Sequence, residues 1–137
     1  MSVTALTPNP SLSSNVRRYM GALLAETLDG LVRKYREVAF SEWEFPAPSG
    51  EHHFNDYALG NPEDPAWWQA DTDALEVVTD PDGRRWANVS IVLYPQGVHS
   101  LPPALVASLA VYEDGRVEGT WASGQRFEFE QARRDDV

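Results

Sequence analysis

From residue 75 onward, apolar and polar side chains alternate in short runs broken by Asp-Gly turns, a pattern that an antiparallel meander satisfies and a helix does not. Leu75–Thr79 and Trp86–Tyr94 flank the turn Asp80-Pro-Asp-Gly-Arg84. A two-residue loop at Asp82-Gly83 would set Glu76 on the apolar face of Ala87, Val89, Ile91 and Leu93. A three-residue loop, Pro81-Asp82-Gly83 with glycine in the left-handed position, pairs Val77 with Ala87 and Leu75 with Val89 instead. The same reasoning at Glu113-Asp114-Gly115 sets Val111 beside Val117, Leu109 beside Gly119 and Ala107 beside Trp121. The core face then holds Leu105, Ala107, Leu109, Val111, Val117 and Trp121, and a last strand, Arg126–Glu130, buries Phe127 and Phe129.

Such a sheet needs a cover, and the chain offers one long apolar stripe. Leu12, Val16, Tyr19, Met20, Leu23, Leu24, Thr27, Leu28, Leu31 and Tyr35 recur at the spacing of one helical face. Asn9 as cap and Pro10 in the first turn predict a start near residue 9. Arg33, Lys34 and Arg36 fall in the last turn, where the helix dipole favours them. Gly21 and Gly30 predict close approach of a neighbouring element. The expected architecture is α+β: one long N-terminal helix packed on a four- to five-stranded antiparallel meander, with a long acidic-aromatic loop segment between helix and hairpins. Residues 1–9 read as a flexible lead-in, 10–131 as a single domain and 132–137 as a frayed tail.

The segment from Glu37 to Gly83 carries twelve carboxylates and no Lys or Arg over 47 residues, together with Phe40, Trp43, Phe45, Phe54, Tyr57, Trp67 and Trp68. Within it, Phe40–Phe45 alternates as a strand, Pro46 to Asp73 reads as loop, and Pro65–Ala70 as a helical turn capped by Asp64. The formal net charge of -10 is almost wholly this segment's doing. A protein that neutralises phosphates needs a basic stripe, so nucleic acid is not an expected ligand.

No cysteine is present, which excludes disulfides and thiol chemistry. The first residues show no basic-then-apolar leader and no run approaches the ~20 apolar residues of a membrane span, so a cytoplasmic protein without membrane contact is the expectation.

No nucleophile elbow, phosphate loop or dinucleotide fingerprint occurs. His52, His53, Asp56 and His99 form the one group with metal-ligand character, but Pro48-Ser-Gly50 breaks the helix that would align His52 with Asp56, and no zinc spacing is present. Asp71-Thr-Asp73 and Asp80–Gly83 are conceivable calcium ligands, yet neither continues into a twelve-residue calcium loop. No metal or other cofactor is expected.

Carboxylates without neighbouring bases repel one another, and a basic partner relieves that cost. The expected function is therefore an inhibitory or immunity-type protein that occludes a basic partner such as a nuclease toxin. Glu42, Trp43, Glu44, Glu51, Asp56, Tyr57, Glu63, Asp64, Trp67 and Trp68 form the expected contact, with carboxylates steering and rings anchoring. The alternative is a small enzyme or ligand-binding domain with a pocket around His52, His53, Asp56 and His99. A homodimer that buries the Trp86/Tyr94/Tyr112 face of the sheet is a third expectation.

Overall fold

The computed structural model describes residues 14–43, 52–63, 67–95 and 105–132. One helix, α1 (Ser14–Tyr35), lies on a six-stranded antiparallel sheet whose strands follow chain order. They are β1 (Phe54–Tyr57), β2 (Trp68–Thr79), β3 (Arg85–Pro95), β4 (Leu105–Tyr112), β5 (Arg116–Thr120) and β6 (Arg126–Glu130). The sheet thus has six strands rather than four or five. The helix start expected at Asn9 lies outside the described residues.

The two later hairpins form as their alternation demands. Val77 pairs with Ala87, Asp80 N–H donates to the Arg84 carbonyl, and Gly83 takes φ 89°, closing a three-residue loop. Val111 pairs with Val117 and Leu109 with Gly119, with Gly115 at φ 96°. Both glycines sit where an L side chain would be strained. Strand β5 ends at Thr120, so the expected pairing of Ala107 with Trp121 does not form.

The core lies between α1 and one face of the sheet. Leu24, Leu28, Leu31, Val32 and Tyr35 of the helix bury against Ala87, Val89, Ile91, Leu93, Ala107, Leu109, Val111 and Val117. Trp121, Phe127 and Phe129 pack at its margin. Two tethers fix the helix: the Asp29 carboxylate accepts the Ala122 N–H at 2.7 Å, and Tyr35 donates to Asp56 on β1 at 2.5 Å. Gly21 and Gly30 face open space, so neither serves the close approach expected of it. The tight glycine is Gly119, where a Cβ would stand 2.7 Å from Leu109 Cδ2 and 2.8 Å from Phe127 Cζ.

The acidic-aromatic segment departs most from expectation. Phe40–Glu42 is a turn of 3-10 helix, not the start of a strand. Glu42 accepts the Ala39 N–H at 3.3 Å, and the Gln131 amide donates to the carbonyls of Arg36 and Val38, so the backbone is committed to a tight turn rather than to a ladder. Residues 44–51 and 64–66 lie outside the described residues. The expected helical turn at 65–70 is overturned by strand β2, which begins at Trp68.

The region expected as loop therefore supplies β1 and the first half of β2. Ala70, Thr72 and Ala74 turn inward opposite Leu93, Ile91 and Val89. A bulge between Ala74 and Glu76 leaves Leu75 outward and 55% exposed, so the expected pairing of Leu75 with Val89 passes to Ala74.

Candidate functional site

The second face of the sheet points away from α1, and among the described residues no element packs over it. Register alone sets its composition at the β1–β3 end. Tyr57, Gln69 and Tyr94 form one rung across three strands, Asn55, Asp71 and Val92 the next, and Asp73 and Ser90 a third. Trp67 adds a ring whose centroid is 6.2 Å from that of Tyr57.

His52, just before β1, binds the two aspartates together. Its Nδ1 is 2.6 Å from Asp73 Oδ2 and its Nε2 3.4 Å from Asp71 Oδ2. A carboxylate near each nitrogen favours the protonated ring, since a neutral imidazole has a lone pair on one of its nitrogens. The hydrogen bond to Asp73 accordingly raises the His52 pKa above its ordinary value, against the opposing effect of burial and with help from the charges of Asp73 and Asp71.

Burial is the largest single influence on Asp73 and pushes it up. Hydrogen bonds from His52 and the His53 N–H, with the His52 charge, outweigh it and hold Asp73 below its ordinary value. Asp71, with a side chain only 8% exposed, also accepts a 2.8 Å hydrogen bond from Asn55. Tyr94 is raised by burial first, then by the charges of Asp71 and Asp73.

The expected contact residues separate into three groups. Trp43 is 5% exposed and packs among Tyr35, His53 and Phe54, so it is a core residue, not a surface anchor. Trp68 also packs against the core. Asp56 turns to the helix side and is held by Lys34 at 2.7 Å and by Tyr35, whose hydroxyl burial and Asp56 together push well above the ordinary tyrosine range. Tyr57 (56% exposed), Trp67, Glu42 and Glu63 remain outside the core. Glu44, Glu51, Asp64 and His99 lie outside the described residues.

Of the described members of the alternative reading's histidine pocket, His52 and His53 both contact Asp73, at 2.6 and 3.4 Å, and Asp56 does not join them. His52 faces the second side of the sheet, while His53 touches the Trp43 ring and Asp56 lies under the helix. Among the described residues no cluster of three or more His, Asp or Glu is arranged to hold a metal ion. Asp80–Gly83 is occupied as a turn, with Asp80 accepting the Trp86 indole N–H at 3.1 Å.

The residues missed on the second sheet face are Asn55 and Asp73, and Asp71, which is buried there. Period-two alternation of small residues at Ala70, Thr72 and Ala74 against Gln69, Asp71 and Asp73 was the available signal.

The described depressions lie elsewhere. One, of about 360 Å³, is lined by Glu118, Arg126, Phe127 and Glu128, and another, of about 160 Å³, by Arg84, Arg85, Tyr112, Glu113 and Asp114. No family model, curated protein or solved structure matches this chain.

Proposed function

We propose that the chain is a protein-binding module that occludes a basic partner through the β1–β3 end of its second sheet face, an inhibitor or immunity-type role with a nuclease toxin as the most concrete partner. One observation carries this reading: Asp73 and the exposed Glu76 share a broad sheet face with Tyr57, Trp67 and Tyr94, with Asp71 buried beside them, and neither described depression adjoins them. A small-molecule site concentrates its polar groups in a concavity, whereas protein contacts use flat surfaces with aromatic anchors inside a charged rim. Glu76, exposed on the same face, extends the acidic rim. The outcome is a surface suited to Lys and Arg side chains, whose stems cover rings while their heads meet carboxylates.

The test is capture of a basic protein from the native organism at low salt, followed by measured affinities for the purified partner. Glu76→Lys should slow association, and Tyr57→Ala should speed dissociation; each should weaken binding by about tenfold or more. Glu130→Lys, at the far edge of the sheet, should change little. Equal effects of Glu76→Lys and Glu130→Lys, with none from Tyr57→Ala, would show attraction to net charge alone and remove the site from consideration. For a nuclease partner, the wild type should also block cleavage in proportion to complex formed.

A further inference from the structure

The last strand, β6, has no pairing partner on its outer side among the described residues. Two hydrogen bonds show which of its backbone groups are free. Gln131 N–H donates to the Gly115 carbonyl and Trp121 N–H to the Gln125 carbonyl, each at 2.9 Å. Because bonded pairs alternate along an antiparallel ladder, the odd residues from 125 to 131 bond inward to β5. The N–H and C=O groups of Arg126, Glu128 and Glu130 therefore point outward.

Sheet edges are ordinarily blunted by charged side chains, lysine above all, or by proline, a bulge or an inward charge. β6 has no proline, lysine, bulge or inward charge, and the charges it does carry, Arg126, Glu128 and Glu130, are of both signs, so they can attract a second copy as well as repel one. The opposite edge, β1, is only four residues long.

The exposed side chains make β6 self-complementary. Arg126 and Glu128 have no ion-pair partner among the described residues. Within the chain, Glu128 stands directly across from Glu118, an unfavourable like-charge pair. We propose that two copies of this chain pair through β6, antiparallel about a two-fold axis at Phe127, with Arg126 of each copy opposite Glu128 of the other.

Outward groups on even residues require even residues to form the bonded pairs, and this register meets that requirement. It supplies two Arg–Glu pairs, sets a cation beside each Glu118–Glu128 pair, and brings the two Phe127 residues together at a non-hydrogen-bonded position, where cross-strand side chains lie closest. Centring the pair on Glu128 would pair Arg126 with Glu130 but press the two Glu128 carboxylates together beside both Glu118 carboxylates.

Net charge does not forbid this association, because the acids are concentrated at the other edge. Five strand spacings of about 4.8 Å separate β1 from β6, more than two Debye lengths in about 0.1 M salt. Arg33 and Arg36 lie over rings of Trp121 and Phe129, and with Arg116 and Arg126 they set four cations against Glu118, Glu128 and Glu130 at the β5–β6 end. The dimer would carry two acidic faces on one side of a continuous sheet, at its opposite ends, which goes beyond the binding role proposed above and does not depend on it.

Sedimentation velocity on the full chain, from about 1 to about 300 µM, tests the pairing through its concentration dependence. A contact built on one short strand belongs to the small, transient class, so the wild type should shift from monomer to dimer with a dissociation constant on the order of 10 µM. Glu128→Pro removes an outward N–H without touching the bonds to β5, and should leave a folded monomer throughout. Arg126→Glu should weaken the dimer about tenfold or more, and the double variant Arg126→Glu/Glu128→Arg should restore it. These two variants decide the matter should Glu128→Pro fail to fold. A wild type that stays monomeric, a dimer indifferent to these changes, such as one formed through the Trp86/Tyr94/Tyr112 face, or a double variant that does not recover would overturn the proposal.

Discussion

His52 shows how one side chain can be fixed by contacts that sequence spacing does not reveal. It stands 19 and 21 positions from the aspartates it joins, and only the pairing of β1 with β2 brings them together. Its folded pKa is raised, so its contribution to stability is complete below the unfolded histidine value of about 6.5 and disappears as pH rises through the folded value. Asp73 is lowered, so its contribution is present above the unfolded value of 3.8 and disappears as pH falls through the folded one. The two dependences bracket a window in which both partners are charged. Half-exposure of the ring allows solvent to screen the interaction, so the effect should be modest. Urea unfolding of wild type and His52→Gln between about pH 4 and pH 9 should show the largest gap in midpoint near pH 5 to 6, closing on the alkaline side. A gap that is constant across this range would mean that the ring contributes packing only.

At the scale of elements, legibility followed the strength of alternation. The β2–β3 and β4–β5 turns could be assigned because a one-residue slip would place Glu76 or Glu118 in the core, and the left-handed glycines agree with the three-residue choice. The first half of β2 could not, because its inward residues are Ala70, Thr72 and Ala74, too small to contrast with the aspartates between them, and β1 has only four residues. The bulge at Leu75 was equally hidden, since it reverses which neighbour faces inward without any glycine to mark it. For the same reason Asp71 and Asp73 read as loop, and the carboxylates of the candidate site emerged only with the register. The two kinds of glycine in this fold should behave oppositely. Gly30→Ala, on an exposed helical position with open space at the Cβ, should stabilise by about 0.5–1 kcal/mol. Gly119→Ala must displace Leu109 and Phe127 in the core and should destabilise by about 1–3 kcal/mol. Urea midpoints of the two variants check both signs, and a stabilising Gly119→Ala would show that this core has slack at β5.

For the whole molecule the question is whether its acidity opposes the fold. Part of the expected repulsion is relieved from outside the acidic segment: Lys34 reaches Asp56 at 2.7 Å, and within the segment His52 joins Asp71 and Asp73. Among the described residues the ion pairs to Arg, namely Arg84–Asp82, Arg85–Glu113 and Arg116–Glu118, have half-exposed or partly exposed partners. Such pairs contribute roughly 0–1 kcal/mol each. Against them stands a net charge of -10, in which each pair of like charges about 10 Å apart costs about 0.4 kcal/mol in water. With 21 carboxylates against 11 bases the sum over the chain is repulsive, so repulsion should win. Salt screens both, and stability should therefore rise as sodium chloride increases from about 10 to about 300 mM, where the Debye length shortens from about 30 Å to well under 10 Å. Urea midpoints at a low protein concentration, where self-association is negligible, measure this directly. Glu76→Lys removes a negative charge from the acidic face and adds a positive one, so it should stabilise most at low salt and reduce the gain that salt produces. A midpoint that falls with salt would instead mean that the ion pairs dominate. The acidic face would then be compensated within the chain, and the electrostatic reason for it to seek a basic partner would be gone.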